Sequence, residues 1–255
     1  MEWMKVAAGG LAVVFFCQIS GPSPGEGKAR EQGATDTGYL LGKFFPERDP
    51  GFVRIPTSHA SREGMYLRKE CHGAFMKMAR AAEKEGIRLV ILSATRTFHH
   101  QKWIWERKWT GKTPVEGRNL AREIPDPVAR AREILRYSAM PGTSRHHWGT
   151  DVDVNSLEPA YFATPEGRRV YRWLRDHASR YGFCQVYTPK RPGRERGYEE
   201  EPWHWSYLPL AGPMLKAYLK RIDYRHIRGF LGDETAPLLQ VIDRYVASVD
   251  SGCRW

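Results

Sequence analysis

Apolar residues along the chain fall into two rhythms, and the change of rhythm predicts its elements. Between Gly64 and Glu85 the positions Leu67, Cys71, Ala74, Phe75, Met78 and Ala82 recur at spacings of three and four, with Gly86 just beyond, so a helix with one buried face and a glycine stop is expected. Arg88 to Ser93 then reads as a buried strand, and Ala94-Thr95-Arg96-Thr97 as the turn leaving it. The run from Phe98 to Trp109 is helical, with Trp105 and Trp109 four apart on one face. Pro127 to Tyr137 predicts a helix ended by Met140-Pro141-Gly142. Thr164-Pro165-Glu166 opens another, whose stripe of Val170, Trp173, Leu174, His177, Ala178 and Tyr181 is closed by Gly182, and His177 there reads as a packed histidine.

The shorter rhythm marks strands. Thr150 to Asn155 alternates Val152 and Val154 with Asp151 and Asp153, the pattern of a half-buried strand that sends valines to the core and Asp153 to a cleft. Phe183 to Tyr187 and Trp203 to Tyr207 are the other strand candidates, the latter with Trp203, Trp205 and Tyr207 opposite His204 and Ser206. Leu40 to Pro56 reads as an irregular arm, Gly111 to Ile124 and Lys190 to Arg196 as loops, and Met214 to Ile222, Tyr224 to Phe230 and Ala236 to Val249 as closing helices.

The ends and the charge change the picture. Met1 to Lys5 followed by the apolar run from Val6 to Phe16 has the layout of a secretory signal, too short for a typical membrane-spanning helix, so residues 1–21 are expected to direct export to the periplasm or cell envelope. Lipidation through Cys17 is the lesser reading, because Phe16 stands where small residues usually precede a lipidated cysteine. Residues 22–38 have the Gly, Pro and Ser content of a flexible tether. A net charge of +11 suits an anionic partner; with an export signal and no nucleic-acid-binding motif, cell-wall polymer is favoured over nucleic acid, and the membrane is met only through the signal. The four cysteines make no metal-binding spacing; isolated buried thiols are expected ahead of a single disulfide.

The candidate chemistry gathers in Ser144 to Asn155, with Arg96 upstream and Glu201 and His204 downstream. Hydrolytic zinc sites combine three His or carboxylate ligands, an open position for water and a nearby carboxylate to take a proton. His146, Asp153, His204 and Glu201 supply that set. Taken singly, Asp153 could pair with an arginine and each histidine could be an ordinary polar residue. Glu201 and His204 are an odd number apart, so either Glu201 precedes the strand or Pro202 bends the chain. His99 and His100 have no second ligand type beside them, and His147 is read as a bystander.

Taken together, these segments resemble the VanY-type D-alanyl-D-alanine carboxypeptidases of the LAS metallopeptidase group. Ser144, His146, Gly149 and Asp153 match the family's serine, histidine, glycine, aspartate spacing, Glu201-Pro202-Trp203-His204 its Glu-x-x-His element, and Ser93-Ala94-Thr95-Arg96-Thr97 with Gln101 its substrate-binding pattern. The resemblance implies an α+β fold, a small antiparallel sheet bearing a Zn²⁺ site with helices packed on it, in residues 39–210, with residues 211–255 a helical extension. It implies His146, Asp153 and His204 as zinc ligands, Glu201 as general base and then acid, and Arg96 on the substrate carboxylate or the developing oxyanion. Ser144, Gln101, Ser93 and Trp203 become substrate contacts, and a peptidoglycan stem peptide the substrate. D,D-carboxypeptidase, L,D-carboxypeptidase and endopeptidase activity all fit such a site. Asp151 stands where the family usually carries a small residue, and tuning a ligand, binding a basic group and pointing to solvent remain open for it.

Overall fold

The computed structural model describes residues 36–253. The expected export signal, Cys17 and nearly all of the expected tether lie outside them; the first helical turn, Thr37–Leu40, takes in the tether's last two positions.

The organising element is a four-stranded antiparallel sheet of β3 (Ile91–Ser93), β4 (Asp151–Val154), β5 (Phe183–Gln185) and β6 (His204–Tyr207), in the order β3-β4-β6-β5. A two-stranded hairpin, β1 (Phe52–Arg54) with β2 (Tyr66–Arg68), lies beside it. This is the expected α+β class. On one face of the sheet Ile91, Val152, Val154, Phe183 and Trp205 join Cys71, Phe75 and Met78 of helix α1 (Lys69–Lys84) and Val170, Trp173 and Leu174 of helix α4 (Pro165–His177) in a continuous core. Burying each such large side chain contributes about 1.5–3 kcal/mol. The helix ends follow the expected signals: the Gly86 backbone turns left-handed at φ +68°, and the Thr164 hydroxyl accepts from the Gly167 amide ahead of Pro165. His177 stacks on Trp173 with ring centroids 4.8 Å apart, as a packed histidine should.

The other face of the sheet is largely covered as well, which corrects the half-buried reading of Thr150 to Asn155: all four residues of β4 are buried. A second layer covers it, built from helix α2 (Phe98–Trp109), helix α3 (Pro127–Ile134), helix α5 (Leu208–Arg221), the N-terminal arm and the C-terminal segment around Trp105, Trp148 and Tyr218. Trp105 and Trp109 do share a buried face, their rings stacked at 6.2 Å. The segment after Arg221 belongs to this layer, with Ile227, Phe230, Ala236, Leu239, Val246 and Cys253 in the same core as Trp105 and Leu135.

Several boundaries differ from the sequence pattern for local reasons. The helix expected from Gly64 starts at Lys69, because Tyr66 to Arg68 are taken up by the hairpin, whose other strand lies in the arm expected to be irregular. Tyr224 to Phe230 is a series of turns: Asp223 accepts from the Arg225 amide, and Gly229 sits at φ +96°. Ala236 to Val249 splits into a short helical turn, Thr235–Leu238, and a wide turn, Ile242–Val246, separated by Gln240 in the left-handed region at φ +51°. Cys184 and Cys253 form a disulfide across 69 residues, Cα to Cα 5.8 Å, which corrects the expectation of isolated thiols; among the described residues Cys71 keeps the expected state, buried and free. Closing a loop of that size stabilises the fold by about 4 kcal/mol on the chain-entropy account. Among the described residues no helix is long and apolar enough to cross a membrane.

Candidate active site

Cross-strand register brings the chemistry together. Asp153 on β4 is the direct partner of His204 on β6 and, across a register shift, of Ser93 on β3. One row across the polar face of the sheet therefore carries Ser93, Asp153 and His204. The preceding single turn, Arg145–Trp148, hangs His146 over that row. Glu201 lies before β6 in a tight turn closed by the His204 amide donating to the Glu201 carbonyl at 3.1 Å, so the odd spacing is resolved by placing Glu201 outside the strand. That turn also takes Trp203 out of the strand, leaving Trp205 and Tyr207 to face the core side.

The motif turn is bolted in place. Gly149 ends it at φ +72°, and a Cβ there would lie 2.4 Å from the Phe52 ring. The Trp148 indole donates to the Leu40 carbonyl at 3.2 Å, and the Tyr39 hydroxyl donates to the Trp148 carbonyl at 2.8 Å. His147 is no bystander. It is fully buried, its Nδ1 donates to the Arg96 carbonyl at 2.6 Å, and its Nε2 accepts from the Gly142 amide at 3.0 Å. With the Arg96 amide donating to the His146 carbonyl at 3.1 Å, the arginine's backbone is tied to the motif from both sides.

Ligating atoms of His146, Asp153 and His204 lie within 4.8 Å of one another, all buried. Each ring is oriented from behind. His146 Nδ1 donates to the Ala94 carbonyl at 2.8 Å, which leaves the Nε2 lone pair facing inward. His204 Nε2 donates to Asp151 Oδ1 at 3.0 Å, which leaves Nδ1 directed at Glu201 Oε2, 3.0 Å away, and at Asp153 Oδ1, 3.5 Å away. His146 Nε2 and Asp153 Oδ1 are buried without a hydrogen-bond partner. Orphaned buried acceptors are costly, and a cation between them removes the cost. Two unprotonated imidazole nitrogens and one carboxylate, each held by a second group, fit a tetrahedral zinc site with one open position. The field points the same way. Burial alone would lower His204, yet Asp151, Glu201 and Asp153 raise it to about 9, so this spot calls for positive charge.

Asp151 is thereby placed. Its carboxylate has no exposed surface, accepts from Arg145 Nε at 3.2 Å and from the Thr150 hydroxyl at 2.5 Å, and receives the His204 proton. Burial pushes its carboxyl up, but Arg145 and His204 outweigh that and hold it well below the usual range. Of the alternatives left open for it, orienting a ligand and pairing with a base both hold, and pointing to solvent does not.

The row forms the floor of a cavity of about 640 Å³ lined by Ser93, Arg96, Ser144, His146, Asp153, Glu201, Trp203 and His204. Burial raises the Glu201 carboxyl, with Asp153 adding to it and His204 and Arg96 opposing. A family model for D-alanyl-D-alanine carboxypeptidases, VanY, matches residues 64–210, which include the motif segments and the cavity floor. The chain belongs to the VanY family. It is 32% identical over 149 residues to YodJ of Bacillus subtilis (strain 168), covering 56% of this chain and 46% of that protein. It is 33% identical over 130 residues to a D-alanyl-D-alanine carboxypeptidase of Enterococcus faecalis (strain ATCC 700802 / V583), covering 51% of this chain and 44% of that one. The chain thus spans about half the length of the curated relatives it matches. A vancomycin-resistance VanY D,D-pentapeptidase mutant in complex with Zn(II) overlays with a TM-score of 0.46 at 24% identity, covering 71% of this chain and 93% of that one.

Against the VanY pattern one expected contact moves. Gln101 does not reach the cavity: it is fully buried, its Oε1 accepts from Arg96 Nη1 at 3.0 Å, and its Nε2 donates to the Ala139 carbonyl at 2.8 Å. From helix α2 it holds Arg96 in place. Ser93, Ser144 and Trp203 do line the cavity. Sequence reasoning missed Lys108 and Tyr187 on its walls. Neither lies in a motif; the helical period of α2, which sets Lys108 beside Trp105 and Trp109, was the one available signal for the lysine.

Proposed function

We propose that this chain is a zinc-dependent D,D-carboxypeptidase that removes the terminal D-alanine from peptidoglycan stem peptides. The observation that carries the reading is the convergence of His146 Nε2, Asp153 Oδ1 and His204 Nδ1, with the Glu201 carboxylate against them, on the floor of a cavity bordered by Arg96. Membership of a carboxypeptidase family supports it. L,D-carboxypeptidase and endopeptidase cleavage are the alternatives the same residues could serve. Export to the periplasm or cell envelope, where that substrate lies, belongs to the proposal, as does a catalytic unit in residues 39–210.

His146, Asp153 and His204 would hold the metal. When bound, zinc supplies a water that ionises near neutral pH and a Lewis acid for the scissile carbonyl. Glu201 takes the proton of the attacking water and returns it to the departing amine of D-alanine, so the released amino acid leaves neutral at nitrogen and no proton is lost. Arg96, fixed by Gln101 and the His147 brace, offers its positive charge to the oxygen that becomes negative at the tetrahedral stage. Ser93, Ser144 and Trp203 shape the cleft around the peptide.

Purified protein loaded with zinc is expected to shorten a stem pentapeptide by one D-alanine, followed by chromatography, and to leave the tetrapeptide intact. Cleavage of the tetrapeptide instead would assign the L,D activity, and cleavage of neither would overturn the carboxypeptidase reading. Asp151→Asn keeps the side chain's shape but weakens its hold on His204, so zinc affinity is expected to fall roughly 10–100-fold. Chelator competition reads this directly, and unchanged affinity would mean that the Asp151 carboxylate does not tune the ligand.

A further inference from the structure

One cation of the cavity is not used by the hydrolytic residues. Lys108 sits in the last turn of α2 and lines the cavity together with Arg96, Tyr137, Ser138 and Glu201. Its ammonium donates to the Ser138 hydroxyl at 2.5 Å, and among the described residues no carboxylate stands within ion-pair distance of it. The two arginines nearest the metal-ligand row hold partners of their own. Arg96 gives Nη1 to Gln101 and Nη2 to Asp153 at 3.2 Å, and Arg145 is spent on Asp151 and Ser206. A mostly covered ammonium whose direct partner is a neutral hydroxyl, with the Glu201 charge acting on it only from beyond ion-pair distance, is short of the close counter-charge that covered charges require. Burial lowers the lysine's proton affinity and Arg96 lowers it further, while the Glu201 charge opposes them, and an anion brought into contact would relieve both destabilising effects.

We propose that Lys108 is the anchor for the free terminal carboxylate of the peptide substrate, with Ser138 fixing the ammonium. The proposal rests on the metallopeptidase reading above and deepens it: Lys108 makes the site select chain ends over bonds inside a cross-link. A carboxy-terminal substrate ends one residue past its scissile carbonyl, roughly 3.5 Å of chain. With that carbonyl over the His146, Asp153 and His204 floor, the terminal carboxylate falls within the cavity that Lys108 lines. The division of labour follows from these hydrogen bonds: Arg96 stays on the reacting centre, where Asp153 and Gln101 hold it, and Lys108 takes the charge that the substrate brings. An endopeptidase substrate offers an amide at that point, which leaves the ammonium without its partner.

The test compares a stem pentapeptide bearing a free carboxyl terminus with the same peptide amidated there. Zinc-loaded wild type is expected to favour the acid by about 10–100-fold in kcat/KM, expressed mainly in KM, the range of a charge-assisted hydrogen bond. Lys108→Met keeps the aliphatic stem without the charge and should bring the two peptides to near parity, while Lys108→Arg should retain the preference. Lys108→Gln serves as a second uncharged side chain if the methionine variant does not fold. Full retention of the acid preference in the uncharged variants overturns the proposal. If wild type cleaves neither peptide, the carboxypeptidase reading fails, and calorimetric titration of both peptides still decides the anchor. Tighter binding of the acid, lost in Lys108→Met, supports it; equal binding of acid and amide by wild type overturns it.

Discussion

Glu201→Ala yields a protein that still takes up one zinc ion per chain yet turns over stem peptide at least roughly 10²–10⁴-fold more slowly, the range expected on removing a general acid-base. The reason lies in how the site divides its work. The ligating atoms belong to His146, Asp153 and His204, and each is oriented by a partner other than Glu201: Ala94 for His146, Arg96 for Asp153, Asp151 for His204. Removing the glutamate therefore leaves the metal's donors in place. It also removes the carboxylate that lies against the ligands without being one of them, so the attacking water and the leaving amine lose their proton carrier. Zinc content by atomic spectroscopy and kcat on the same preparation read both halves of the result. A fully active variant would remove this mechanism; loss of zinc together with activity would show that Glu201 is part of the binding set.

Arg145→Met is expected to cost about 3–5 kcal/mol of folding stability, because it strips the paired guanidinium from a carboxylate with no exposed surface. Arg145 is itself fully covered and lies over the Trp148 ring at 4.8 Å, so the methionine preserves much of the packing and isolates the charge. Asp151 would keep the Thr150 hydroxyl and His204, neither of which replaces a permanent cation. The pH dependence has a definite sign. The folded-state pKa of Asp151 is depressed, so the pair's stabilisation is complete above the unfolded value of about 3.9 and is lost as pH falls through the folded value. The gap between wild type and variant in denaturant midpoint should thus be widest near neutrality and narrow in acid. A gap that does not change with pH would assign the loss to packing alone.

How much of this could be read in the residues alone differs from element to element. The stripes of α1 and α4 were legible because a helix buries one face and its period is printed in the apolar positions; their glycine stops and the Thr164 cap were legible for the same local reason. Val152 and Val154 entering the core, with Asp153 on the opposite face, followed from the two-residue period of a strand. Of the closing helices the first was legible and the last two were overread, since apolar spacing between Tyr224 and Phe230 and across Gln240 is also what a coil packed on a core displays.

The sequence by itself determined the ingredients of the site: the motif turn with its glycine, the alternation that turns Asp153 away from the core, and the Glu-x-x-His segment. These are properties of neighbouring residues, and short-range geometry suffices for them. Only the tertiary structure decided how strands about fifty residues apart align, making Asp153 and His204 register partners. It alone decided that Asp151 meets Arg145 and His204, that Gln101 stands behind Arg96 and not in the cleft, and that Cys184 finds Cys253. It alone set Lys108 on the cavity wall with the Ser138 hydroxyl as its direct partner. Each of these depends on what is packed above the polar face of the sheet, and burial, which sets the strength of every charge there, is a property of the assembled layers.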